Sequence, residues 1–135
     1  MLYLLDTNVI SEVRRPRPNP GVVQWFDAVA DADIRTSVLV IGEIRQGVER
    51  LRRRDPAAAE ALDSWLGDVR SQFTGRLLPV DAPIAERWGA LNAHGPLPVV
   101  DGLLAATALV HELTLVTRNV ADVARTGART LNPFT

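Results

Sequence analysis

Cysteine and lysine are both absent from the 135 residues, and histidine occurs only as His94 and His111. Without cysteine the chain has no disulfide framework, no thiolate zinc site and no cysteine nucleophile. That fits a cytoplasmic setting, where disulfides are rare. Two histidines are too few for a histidine-built zinc centre, and His111-Glu112 lacks the second histidine of a zinc-protease helix. There is no P-loop, no G-x-G-x-x-G and no G-x-S-x-G elbow, so the usual marks of nucleotide-binding folds and serine hydrolases are missing. No apolar run approaches the ~20 residues needed to cross a bilayer, so no membrane association is expected. No basic segment precedes an apolar core at the N-terminus, so no signal peptide is expected.

All 15 basic residues are arginine, and the net charge is −1, so the domain as a whole is not a basic nucleic-acid binder. Arg14, Arg15 and Arg17 cluster, as do Arg50, Arg52, Arg53 and Arg54. Such clusters suit phosphates, but cations at a helix C-terminus also complement its dipole. For each cluster taken alone the second account is preferred. The length corresponds to a single domain, residues 1–135, large enough to fold without a disulfide or structural metal.

Strands and helices alternate along the chain. Leu2 to Leu5 reads as a buried strand, and Asp6-Thr7 opens a short helix toward Arg14. Asn19-Pro20 is an N-cap with proline in the first helical position, and Asp55-Pro56 repeats the signal. Further strands are expected over Ile34 to Thr36, Arg76 to Val80, Leu115 to Thr117 and Arg129 to Leu131. Helical spacing covers Leu39 to Leu51 and Ala61 to Val69, and Asp81-Pro83 starts a helix that ends near Gly95-Pro96. An alanine-rich helix, Leu103 to Leu113, follows Asp101, and a short one runs from Asn119 to Arg125. This alternation predicts an α/β fold with a central, mostly parallel five-stranded sheet between helices.

In such a fold, strand ends and helix starts gather at one edge of the sheet. Asp6 follows YLL, Asp101 follows PVV, Asp122 follows the fourth strand, and Glu43 lies within the apolar helix LVIGEI. Each aspartate has a plain explanation as a helix cap or first-turn acid. Asn119 and Asp122 have the spacing of a capping-box variant. Capping explains Glu43 least, because it is not at the helix start and a charge near a buried stripe needs a partner. Like charges that converge raise one another's pKa and require cations. An all-oxygen site suits magnesium or manganese, which can activate water and stabilise charge on a phosphodiester. Thr7, Asn8, Thr117 and Asn119 lie beside the acids and are placed to orient them. Asp81 and Asp55 are assigned to capping alone.

The segments LLDTNVISE, TSVLVIGEIRQGVERL, VVDGLLAATAL and TLVTRNVADVARTGARTLNPF resemble the PIN domain. More closely they resemble the VapC-type and FitB-like toxins of bacterial toxin–antitoxin pairs. The likeness runs in order over almost the whole chain, and the last segment is the most specific. It implies a PIN-like α/β/α sandwich and a magnesium- or manganese-dependent endoribonuclease. It also implies an acidic quartet of Asp6, Glu43, Asp101 and Asp122 as metal ligands and catalytic residues. The first three would hold the principal ion; Asp122 would support a second ion or a water. In-line hydrolysis would leave a 5′-phosphate and a 3′-hydroxyl. Arg14, Arg15, Arg45 and Arg118 are the candidates for RNA backbone contacts. The resemblance further implies a homodimer silenced by a cognate VapB-like antitoxin, in a higher toxin–antitoxin complex. Trp25, Phe26, Trp65 and Trp88 serve the core or an interface.

Other classes stay open from the residues alone. A catalytically silent module of this fold would bind RNA or protein without cutting. A phospho-acceptor receiver needs a lysine after its last strand, and none exists. An aspartyl phosphatase needs a second aspartate where Asn8 stands.

Overall fold

The computed structural model describes all 135 residues. Five strands form one all-parallel sheet: β1 (Tyr3–Leu5), β2 (Ile34–Ser37), β3 (Leu77–Leu78), β4 (Thr114–Val116) and β5 (Thr130–Leu131). Their spatial order is β3-β2-β1-β4-β5. The first strand of the chain is therefore the middle of the sheet. Leu5 sits between Thr36 and Val116 in register. Leu4 and Leu5 point to opposite faces and are both fully buried, as are Leu115 and Val116 to within one per cent, so helices cover both faces. Burying each such leucine stabilises the fold by roughly 2 kcal/mol.

The helices are α1 (Thr7–Glu12), α2 (Pro20–Ala28), α3 (Val38–Arg52), α4 (Pro56–Gln72), α5 (Ala82–Ala93), α6 (Val99–His111) and α7 (Val120–Val123). α3 packs along α4, and α5 along α6. The capping signals behave as their chemistry requires. Asn19 accepts hydrogen bonds from Gly21 N (3.0 Å) and Val22 N (3.4 Å), with Pro20 behind it. Asp55 accepts from Ala58 N at 3.1 Å and Asp81 from Ile84 N at 3.2 Å, so both are caps.

Several boundaries differ from the sequence reading, each for a local reason. β3 shrinks to two residues because it lies at the sheet edge and Pro79 cannot donate to a ladder. α1 stops at Glu12 instead of reaching Arg14. α6 starts four residues earlier than Leu103, behind Pro98, which places Asp101 inside its first turn. The final helix breaks after Val123 into a 3-10 turn, Ala124–Thr126. β4 spans Thr114–Val116 and releases Thr117 at its end.

Of the aromatic residues, Trp25 and Phe26 pack edge-to-face, as do Tyr3 and Trp25, each pair with ring centroids 5.2 Å apart. Trp25, Phe26 and Trp65 are half-buried against the core rather than within it. Trp88 lies against Gly102, where an added Cβ would stand 3.1 Å from its ring. The α5–α6 contact is close there, and a side chain at Gly102 would require the Trp88 ring to shift by a few tenths of an ångström.

Candidate active site

Strand order reverses at β1: the chain goes from β1 to one side for β2 and β3, then crosses to the other for β4 and β5. A crevice forms outside the carboxyl ends of the strands at such a point. Asp6 follows β1 directly and its N–H continues the ladder to Val116 O at 3.0 Å. Its side chain is buried, 5% exposed, and held by three donors. Thr7 N reaches Oδ1 at 2.7 Å; Thr117 Oγ1 and Asn8 Nδ2 reach Oδ2 at 2.7 and 3.4 Å. Thr7 also donates its hydroxyl to Glu43 Oε1 at 2.6 Å, so one residue spans the acids of α1's start and α3.

Asp101 completes the approach from α6. Burial pushes its carboxyl above the usual range, and the charges of Asp6, Asp122 and Glu43 push it further, in that order. All four acids thus share one electrostatic neighbourhood. None of them forms an ion pair with an arginine. Their side chains do not form a ready-made cage: no three stand close enough together to hold an ion as they are. The donor chemistry nevertheless fits a hard divalent cation, being all oxygen, negative and without an internal counter-charge.

Capping does not account for the outer acids. α6 has Pro98 in its cap position and no side-chain cap, so Asp101 is not one. A capping box would send the Asn119 N–H to Asp122, but it goes to Thr117 Oγ1 at 3.0 Å. Asp122 is exposed at the rim. Asn119 needs a correction: its amide side chain bonds to none of the acids, and only its backbone takes part. Thr7, Asn8 and Thr117 do orient the carboxylates.

The arginines divide. Arg45 is removed from the rim: it is bound to Asp63 of α4 at 2.9 Å and Glu49 at 3.2 Å. Two residues from Glu43 on a helix, it faces another side. Its hydrogen bond holds the Asp63 carboxyl below the usual range. Arg14 lies over the Trp65 ring at 5.7 Å, also toward α4. Arg118 follows Thr117 and donates its N–H to Asn8 Oδ1 at 3.2 Å, and Arg15 lies across α1 from it. Sequence reasoning passed over Glu12. It is 7% exposed, accepts Asn19 N at 2.9 Å and pairs with Arg15 at 3.4 Å, fastening the end of α1 to the start of α2. Its signal was an acid six residues beyond Asp6, on α1's inner face.

The PIN domain family matches residues 3–127 of this chain. The chain belongs to the PIN-domain family. Among PIN-domain relatives it is 35% identical to toxin FitB of Neisseria gonorrhoeae, over 98% of this chain and 99% of that one. It is 29% identical to VapC ribonuclease Y4jK of Sinorhizobium fredii, over 98% of each. A solved structure of FitAB bound to an IR36 DNA fragment superposes with a TM-score of 0.90 at 34% identity, covering 99% of this chain and 96% of the other. The expected PIN-like sandwich is thus the observed fold.

The sign of Asp101's shift makes a prediction. A carboxyl raised in the folded state favours its protonated form. Its contribution to stability is therefore fullest below the ordinary aspartate value, near ~3.9, and is lost as pH rises through the raised value. At pH 7 the charge opposes folding. Asp101→Asn is expected to raise the Tm of the metal-free protein at pH 7, with the gain shrinking as pH falls toward 4. Thermal melts across that range check it; an equal Tm at pH 7, or a pH-independent gain, counts against the shared-charge site.

Proposed function

We propose that this protein is a magnesium- or manganese-dependent endoribonuclease toxin, neutralised by a cognate antitoxin. The observation that carries the reading is the end of β1, where Thr7 hydrogen-bonds both Asp6 and Glu43, the charges of Asp6, Asp122 and Glu43 act on Asp101, and no arginine pairs with any of the four. The relatives agree with it: one is named a ribonuclease and one a toxin, and FitAB is a complex.

Asp6, Glu43 and Asp101 would hold a divalent ion, which when bound supplies positive charge for the phosphodiester and activates water. Thr7 and Thr117 keep the carboxylates of Glu43 and Asp6 in place, so little reorganisation accompanies catalysis. Asp122 stands at the exposed rim, where it can accept a proton from an attacking water. Arg118 supplies a cation beside the acids for the RNA backbone.

For the antitoxin the reading rests on an apolar cavity of about 350 Å³ lined by Leu5, Ile10, Phe26, Trp65, Val69 and Phe73. Such a cavity suits the apolar side chains of a partner segment. A homodimer within a toxin–antitoxin complex belongs to the same proposal. No helix is long and apolar enough to cross a membrane.

Purified protein, free of partner, is expected to cut single-stranded RNA at internal positions when magnesium or manganese is supplied, and to stop when EDTA is added. RNA that is bound but left whole under every metal condition favours the binding-module reading instead. The unpaired acids speak against that reading, because a silent module has no need to keep repelling charges together.

A further inference from the structure

Beside the acids lies a second, shallower pocket of about 300 Å³, lined by Asn8, Ser11, Glu12, Arg15, Arg118 and Phe134. Its chemistry differs from the crevice. The Arg118 guanidinium lies over the Phe134 ring, 4.7 Å from the centroid, and has no carboxylate within ion-pair distance. Arg15 is 67% exposed and reaches Glu12 only at 3.4 Å. Glu12 already accepts the Asn19 N–H, so the pocket's one acid is engaged on its inner side.

The segment that carries Phe134 is pinned. Thr135 N and Oγ1 donate to Asn19 Oδ1 at 3.0 and 3.2 Å, and Asn19 Nδ2 donates to Thr135 O at 3.1 Å. Phe134 N donates to Asn132 Oδ1 at 3.0 Å. Gly21 makes room: a Cβ there would stand 2.3 Å from Pro133 O. The ring beneath Arg118 is thereby fixed to the start of α2. The pocket is also wired to the crevice. Asn8 accepts the Arg118 N–H and donates to Asp6, while Thr117, next in sequence to Arg118, donates to Asp6.

We infer that Arg118 over Phe134, with Arg15 in the same pocket, is a binding subsite for the single-stranded RNA nucleotide next to the phosphodiester held at the acids. An arginine and an aromatic ring side by side in an open pocket offer a base something to stack on, a mode single-stranded RNA readers use. A cation without a carboxylate partner is free for a phosphate. The pocket's position, one residue from the Asp6–Thr117 hydrogen bond, makes it adjacent to the reacting bond. The inference rests on the ribonuclease reading for its substrate class.

Binding and cleavage are measured separately so that the two ideas fail separately. The probe is a fluorescein-labelled 12-nucleotide single-stranded RNA of mixed sequence, bound to full-length protein in EDTA and followed by anisotropy across a salt series. Arg118→Ala is expected to weaken binding about tenfold, the loss of one stacked base plus one charge. Arg118→Lys and Phe134→Leu keep the charge; each is expected to weaken binding several-fold with the salt slope unchanged. Arg15→Ala is expected to lower the slope by about 0.7, one phosphate contact on a single strand. Circular dichroism confirms that each variant is folded. Arg118→Ala binding within twofold of wild type, Arg118→Lys binding as wild type, or no measurable binding by wild type overturns the subsite. If the pattern holds but wild type cuts no RNA with any metal, the subsite stands and the nuclease reading falls.

Discussion

Under the proposed nuclease reading, Asp6→Asn is expected to lower RNA cleavage on the order of a thousandfold or more while the protein stays folded. Asp6 is the acid on which most of the site turns: it is buried, it ends the central strand, and three donors fix it. An asparagine keeps the shape and one acceptor, enough for the Thr7 N–H on Oδ1, while its amide NH2 replaces the oxygen that accepts from Thr117 and Asn8. The negative charge is lost. Removing it would delete a ligand for the proposed cation and weaken stabilisation of the developing charge, and single electrostatic groups of that kind contribute about two to three decades. Loss of the cation would carry the effect further; three decades correspond to roughly 4 kcal/mol of barrier. Initial rates on labelled RNA, with circular dichroism on the same preparation, test it. RNA cut by the variant within tenfold of wild type would sink the assignment of Asp6.

Thr117→Val is expected to lower cleavage by about 10- to 100-fold, the range for groups that orient metal ligands. Thr117 is 1% exposed, and its hydroxyl works in both directions. It donates to Asp6 and accepts from Asn119 N. Valine fills a similar space but leaves the buried Asp6 Oδ2 with only the long Asn8 hydrogen bond, which costs about 1 kcal/mol of stability as well. Thr117→Ser keeps the hydroxyl and is expected to keep most of the activity. A metal titration separates the causes: Thr117→Val should need more manganese for half-maximal rate. Wild-type rate and wild-type metal demand in the valine variant would place Thr117 outside the site.

The sheet and its acids were legible because they rest on local chemistry. A short apolar run followed by Asp-Thr, or an Asn-Pro before an amphipathic stretch, carries its meaning in a few residues. Asp81 and Asp55 were separable from Asp6 for the same reason, since a proline soon after each marks a cap. What could not be read was which side chain meets which. Arg45 and Arg118 look alike in sequence, yet one is bound to Asp63 on α4 and the other lies over Phe134. Pairings of that sort depend on how two helices pack, or on where the C-terminal segment is fastened. The edges of elements were hidden too: Thr117 reads as strand, but β4 ends at Val116, and the Thr117 hydroxyl meets Asp6 just beyond it.

The contact between Thr117 and Asp6 joins positions 111 apart, and the central strand is the first one made. The strand on its other side in the sheet comes much earlier, at Ile34–Ser37. During synthesis β1 therefore waits, half-paired, until nearly the whole protein has left the ribosome. At about 5–20 residues per second that delay is several seconds or more. Long-range pairing of this kind also folds slowly. A nascent chain thus carries Asp6 without the Thr117 hydroxyl until β4 has emerged.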